Sequence, residues 1–213
     1  MTARAVLETI RGSIPDTAIF PAVRLRPAPA GGSWAFASLV GILAEISEEA
    51  PSGALSFVAE VIAEAQRRGE PVAWVAGSDS IFFPPDLSRR GVDLAALAVI
   101  RAGGQDDSLV ATEWLARSAA LGLVIVDCEG SWNVNDAALG RIQKLAERGQ
   151  CAVVFLTRKL ASDPSLGSRI ALRGCISRCG ADPFLIELRT AKDKRSNSSS
   201  PQRRQYHGPP GMH

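Results

Sequence analysis

Histidine is nearly missing from this chain: there are two, His207 and His213, both within the last seven residues. A His-centred catalytic triad and a His-rich metal site are therefore poorly supplied. Cysteine is also sparse, with four residues (128, 151, 175 and 179) among 213. That is no disulfide scaffold, and the one close pair, Cys175 and Cys179, has neither a second pair nor a neighbouring His to complete a zinc site. The four are read as buried, reduced thiols. No apolar run approaches the roughly 20 residues that span a bilayer. The N-terminal MTARAVLETIRGSIPD lacks an apolar stretch ending in a small-residue cleavage site, so the expected location is cytoplasmic.

The composition that remains is that of an ordinary globular protein, 46% hydrophobic and 22% charged, on a length that suits one domain with loose ends. The net charge of +2 is unevenly spread. Residues 42–186 carry 14 basic and 18 acidic side chains, whereas residues 187–213 carry six basic and two acidic. An acidic body with a basic tail points to the tail as the part that meets polyanions or acidic partners. Residues 1–30 are read as a short amphipathic helix bearing Val6, Leu7 and Ile10, followed by a Pro-rich basic linker. Residues 31–190 form the folded domain. Residues 191–213, AKDKRSNSSSPQRRQYHGPPGMH, have too little apolar surface to offset their ordering entropy and are expected to be a disordered basic tail.

Within the domain, apolar runs alternate with helical periodicity. GILAEIS (41–47), VAWVAG (72–77), Leu97 to Arg101, GLVIVD (122–127) and CAVVFL (151–156) read as strands. Residues 53–68, 105–119 and 135–149 read as the helices between them. Two further strands, near 171–176 and 184–189, follow without an intervening helix and look antiparallel. Near-continuous apolar strands separated by amphipathic helices define an α/β fold, a mostly parallel sheet flanked by helices with an antiparallel extension on the C-terminal side.

In such a fold the loop after the first core strand is the natural place for an anionic ligand. Here it is EISEEAPSGALSF (45–57), a strand, a turn with Ser52 and Gly53, and a long helix. The phosphate-loop pattern G-x-x-x-x-G-K-[ST] needs Gly where Glu48 stands, Lys where Ala54 stands and a hydroxyl where Leu55 stands. Only Gly53 fits. Ala54 and Leu55 can neither neutralise phosphates nor hold magnesium, and Glu48 and Glu49 add negative charge where a triphosphate would lie. No cofactor and no enzymatic activity are expected, and loop 47–53 is expected to be collapsed or filled by side chains.

The stretch from IAEAQRRGEPVAWVAG through RRGVDLAALAVI and ARSAALGLVIVD to CAVVFL resembles the core of RecA-type recombinases across residues 41–158. In that register Ala54 and Leu55 replace the phosphate-binding Lys and magnesium-binding Thr. Ser78 takes the place of the water-activating Glu, and Asp127 matches the acidic end of the Walker B strand. A closer resemblance, over residues 30–190, is to the ImuA family, RecA-like proteins without a working P-loop that are encoded with mutagenic polymerases. It rests on GILAEIS, VAWVAG with the Pro-rich SIFFPPDLSRRGVDLAALAVIR, ATEWLARSAALG, and AALGRIQKLAERG leading into VVFL. The turn AGGSWAF (30–36) is only similar to that family's. SulA, a cell-division inhibitor, is a related smaller cousin.

The resemblance implies a non-catalytic accessory factor in DNA-damage-induced mutagenesis. Its partners would be an ImuB-like polymerase homologue and RecA, and through them an error-prone DNA polymerase. The alternatives are a sequence-nonspecific DNA-binding protein, taking single-stranded DNA on its tail, and a SulA-like inhibitor. Lys192, Lys194, Arg195, Arg203 and Arg204 are the candidate partner or DNA contacts. Asp127 is read as a capping or hydrogen-bonding carboxylate, with Glu129 and Asp136 beside it but no His to make an acid–base pair. Trp74 and Trp114 are assigned to the core. Trp34 and Trp132 are expected to be exposed. Phe82-Phe83-Pro84-Pro85 is assigned to packing, and Arg158 and Lys159 to a solvated pair.

Overall fold

The structure is a computed structural model that describes residues 34–48, 53–77, 80–128, 132–180, 184–195 and 201–207. The N-terminal helix and linker (1–30), Glu49, Ser52, Ser78, Glu129 and residues 208–213 lie outside these segments. The described residues form one eight-stranded sheet in the order β3-β2-β4-β5-β1-β6-β7-β8. The strands β1 (Leu43–Glu48), β2 (Val72–Ala76), β3 (Leu97–Arg101), β4 (Leu123–Asp127), β5 (Ala152–Arg158) and β6 (Leu172–Cys179) pair in parallel. β7 (Phe184–Asp193) and β8 (Gln202–Tyr206) add antiparallel strands. β1, β2 and β4 are buried at every position. β2 and most of β4 accordingly read as apolar runs, whereas β1 buries Glu45, Ser47 and Glu48 among its apolar residues.

Helices cover both faces. Helix α1 (Phe36–Leu39), α2 (Ala54–Arg67) and α3 (Pro84–Arg89) pack on one face with Trp34, Trp74 and Phe57. α4 (Gln105–Ser118) and α5 (Asp136–Gly149) cover the other with Val124, Val126 and Phe155. α5 begins where Asn135 accepts a hydrogen bond from the Ala138 N–H at 2.7 Å, as its sequence announces. Pro84 and Pro85 open α3, where a missing N–H costs nothing.

Several expectations are corrected. Trp34 is 1% exposed: its indole donates to Thr190 Oγ1 at 3.1 Å and meets Phe57 edge-on at 6.3 Å. It fits because residue 174 is Gly, where a Cβ would lie 2.5 Å from the indole. Trp114, assigned to the core, is 44% exposed, and Trp132 is half-buried against the second cluster. Phe82 packs on Trp74 at 5.4 Å, whereas Phe83 is exposed. Cys128 and Cys151 are buried, but Cys175 is half-buried and Cys179 exposed.

The largest correction concerns the tail. Residues 191–193 complete β7, and Gln202–Tyr206 form β8 on the edge of the sheet. Tyr206 is buried, stacked on Phe184 at 5.7 Å with the Arg90 guanidinium 4.2 Å from its ring centre. A single inward aromatic, long aliphatic arginine stems and ladder pairing to β7 hold a segment whose composition reads as disordered.

Candidate functional site

Parallel strands direct their carboxyl ends to one rim of the sheet, and there β1 stops at Glu48 beside Arg158 of β5. Alternation turns Ala44, Ile46 and Glu48 toward α2, and Leu43, Glu45 and Ser47 toward the opposite face. Glu48 is 7% exposed, and its Oε2 accepts a hydrogen bond from the backbone N–H of Ala54 at 3.2 Å. Ala54 is the first residue of α2. The unsatisfied N–H groups and positive end of that helix, the features that attract a phosphate, thus face a carboxylate from the chain itself.

Gly53 caps the helix with φ 109°, and a Cβ there would lie 2.5 Å from Ile186 Cδ1 of β7. Both the left-handed backbone and the close strand demand glycine. Leu55, at the place of the magnesium-binding hydroxyl, packs against the core. The space between the strand ends and α2 is a cavity of about 10 Å³, lined by Ile46, Glu48, Ala54, Ile81, Asp127 and Arg158 among others. Among the described residues that is room for about one water molecule.

Asp127 ends β4 and is buried. Its Oδ2 accepts from Ser80 Oγ at 2.6 Å and from the Ile81 N–H at 2.7 Å, and Ser80 Oγ in turn accepts from the Phe82 N–H at 3.1 Å. The carboxylate organises the segment that lays Phe82 on Trp74. Asp136 lies apart from it; hydrogen bonds from Ser168 first and Arg169 second hold its carboxyl below the usual range. Cys128 follows Asp127; burial first, and the Asp127 and Glu45 charges second, push its thiol well above the ordinary value, so it is not a poised nucleophile.

The opposite face of β1 carries a cluster that sequence reasoning missed. Glu45 is fully buried and accepts from Thr157 Oγ1 at 2.9 Å and the Leu166 N–H at 2.7 Å, with Lys159 Nζ at 3.0 Å. Arg173 donates to Ser47 Oγ at 2.9 Å, to the Leu160 carbonyl at 2.9 Å and to the Asp163 carbonyl. Segment 159–170 is thereby clamped over β1 and β6, where a helix covers the other strands. Lys159 is not part of a solvated pair. A charged residue inside each of two core strands was the available signal.

The five candidate tail cations all bond within the chain. Lys192 donates to Ser165 Oγ at 2.9 Å, Lys194 to the Ser168 carbonyl, and Arg195 to the Ser38 carbonyl and Asp193. Arg203 pairs with Glu187 at 2.9 Å, and Arg204 with Glu60 while its guanidinium lies 4.7 Å from the Phe57 ring centre. They are pinned to the sheet, not held out on a free arm. Among the described residues no group of three or more His, Cys, Asp or Glu could hold a metal ion, and no helix is long and apolar enough to cross a membrane.

The strand order, the helix that follows β1 at the sheet's ligand-binding rim and the C-terminal antiparallel strands define a mixed α/β fold consistent with a RecA-like core. The sequence agrees: 87 residues are 34% identical to protein RecA of Chlorobium limicola (strain DSM 245 / NBRC 103803 / 6330), a match over 41% of this chain and 25% of that protein. The chain thus spans about a quarter of the length of the relative it matches, and the relationship is RecA-like and distant. No family model matches the sequence.

Proposed function

We propose that this protein is a non-catalytic, RecA-like adaptor in DNA-damage-induced mutagenesis, of the ImuA kind. It binds an ImuB-like polymerase homologue and RecA, and links them to an error-prone DNA polymerase. The observation that carries the non-catalytic half is the Glu48 carboxylate on the N–H of Ala54. A helix terminus already neutralised by a buried carboxylate repels the anion it would otherwise attract. The side chains of Ala54 and Leu55 offer nothing to a phosphate or to magnesium, and the described residues beside them leave a cavity of only about 10 Å³. The partners follow from the resemblance over residues 30–190, and the RecA-like fold supports it. With the tail cations engaged on the sheet, nonspecific DNA binding through a free tail is the weaker reading.

The test is a co-purification. Tagged protein from cells exposed to DNA damage is expected to bring down the polymerase homologue in an ATP-independent manner. Recovery of neither that partner nor RecA, with the folded protein in hand, contradicts the reading.

A further inference from the structure

The sheet ends in two unlike edges. β8 presents Arg203 and Arg204 within five residues, the kind of charged edge that deters pairing with another chain. β3 is Leu97-Ala98-Val99-Ile100-Arg101, with no proline or lysine and an unbroken parallel register to β2. Its far side carries unpaired backbone groups, and Ala98 and Val99 are exposed. Apolar side chains stand on both faces of this edge. Val99, on the same face as the buried Leu97, is 38% exposed on the α2 side, and Leu94 in the turn before the strand is 38% exposed. On the other side Ile100 is half-buried. Trp114 of α4, about 100° around the helix from the Glu113 that pairs with Arg141 of α5, is exposed.

We propose that β3 is a self-association edge, two copies of the chain pairing their β3 strands about a two-fold axis at Val99. A two-fold axis makes a strand pair with itself antiparallel, so Val99 faces Val99, Ala98 faces Ile100 and Leu97 faces Arg101 of the second copy. No like charges oppose one another in this register, and the two exposed valines cover each other. Arg101 makes no ion pair among the described residues. On the α2 side it runs toward the Leu97 end of the second copy, where Asp93 is exposed and bonded to Gln66 of α2. That complementary pair, met twice by symmetry, favours a second copy over an unrelated strand. β8 is poorly suited to pair this way, because a two-fold axis at its central Arg204 would set that guanidinium against its own image.

The experiment is light scattering after gel filtration across a concentration series, on the full chain and on Val99→Lys and Val99→Glu. The wild-type chain is expected to dimerise as concentration rises. Each variant is expected to be monomeric with an unchanged circular-dichroism spectrum, because the site is at the surface, and an equimolar mixture of the two is expected to regain the dimer. Val99→Cys in a Cys179→Ser background is expected to give a disulfide-linked dimer on oxidation, since facing Cα atoms would lie about 4.5–5.5 Å apart. A wild-type chain that stays monomeric throughout overturns the proposal. So does a dimer that survives both substitutions, or a monomeric wild type in which Val99→Lys abolishes binding of a different protein.

Discussion

The carboxylate of Glu48 at the end of β1 and the backbone N–H of Ala54 at the start of α2, six residues apart, meet at 3.2 Å. A strand end and a helix start have closed on each other where related folds leave an anion site. Replacing Glu48 by Ala removes the acceptor and uncovers the helix terminus. A loss of about 1 kcal/mol is expected, the usual worth of a helix cap, with a smaller loss for Glu48→Gln. Chemical denaturation measures both; equal stability of Glu48→Ala and wild type would show that the contact contributes nothing.

Installing Lys at Ala54 and Thr at Leu55 is expected to give no ATPase, because Glu48 still occupies the helix terminus and Ser78 offers no carboxylate to orient water. A steady-state phosphate-release assay decides it, and turnover above the unmodified chain would contradict the expectation.

The buried Glu45 cluster is expected to be the most sensitive charged site. Removing one partner strands the other without water, so Glu45→Ala or Arg173→Met should cost about 3–5 kcal/mol. The double variant should cost less than the two singles together, since each removes the penalty the other creates. Urea midpoints for the four proteins give the coupling directly; additive losses would mean the two charges do not interact.

Deleting residues 201–213 removes β8 and is expected to destabilise the domain. Tyr206→Ala alone should cost about 3–5 kcal/mol, the range for emptying a buried aromatic site, and Tyr206→Phe far less. A truncated chain that melts with the wild type would show that β8 does not stabilise the sheet.

The thiols provide a pH test. Burial pushes Cys151 up to about 12 from an ordinary value of 9.0, so its neutral form is favoured in the folded state. The contribution is complete below the unfolded thiol's pKa and is lost as pH rises from about 9 toward 12. Stability should therefore fall through that alkaline window, and Cys151→Ala should flatten the fall. A thiol reagent at neutral pH should label exposed Cys179 first and spare Cys128 and Cys151 until unfolding.

The parallel core was legible because strands buried on both faces are mostly apolar, β2, β4 and β5 above all, and because Asn135 and Gly53 mark helix starts chemically. What hid was decided by distant partners. Trp34, flanked by Ser and Ala, reads as a loop residue; the hole left by Gly174 buries it. Trp114 and Val110 share helical spacing, yet Ser108 and Thr112 take the buried side because each hydroxyl bonds a carbonyl four residues back, at 2.8 and 2.7 Å. β8 hid because its pattern holds one inward aromatic among arginines whose acids, Glu60 and Glu187, lie elsewhere in the chain. At the candidate site the missing Lys and hydroxyl were plain in the sequence. That Glu48 would turn into the helix terminus followed only from the strand's alternation toward α2.

Isothermal titration of the full chain with magnesium–ATP, beside Glu48→Ala, tests the plugged site most directly. No saturable heat for the wild-type protein up to millimolar nucleotide is the expected result. Saturable micromolar binding by the wild-type chain, lost on Asp127→Ala, would contradict it.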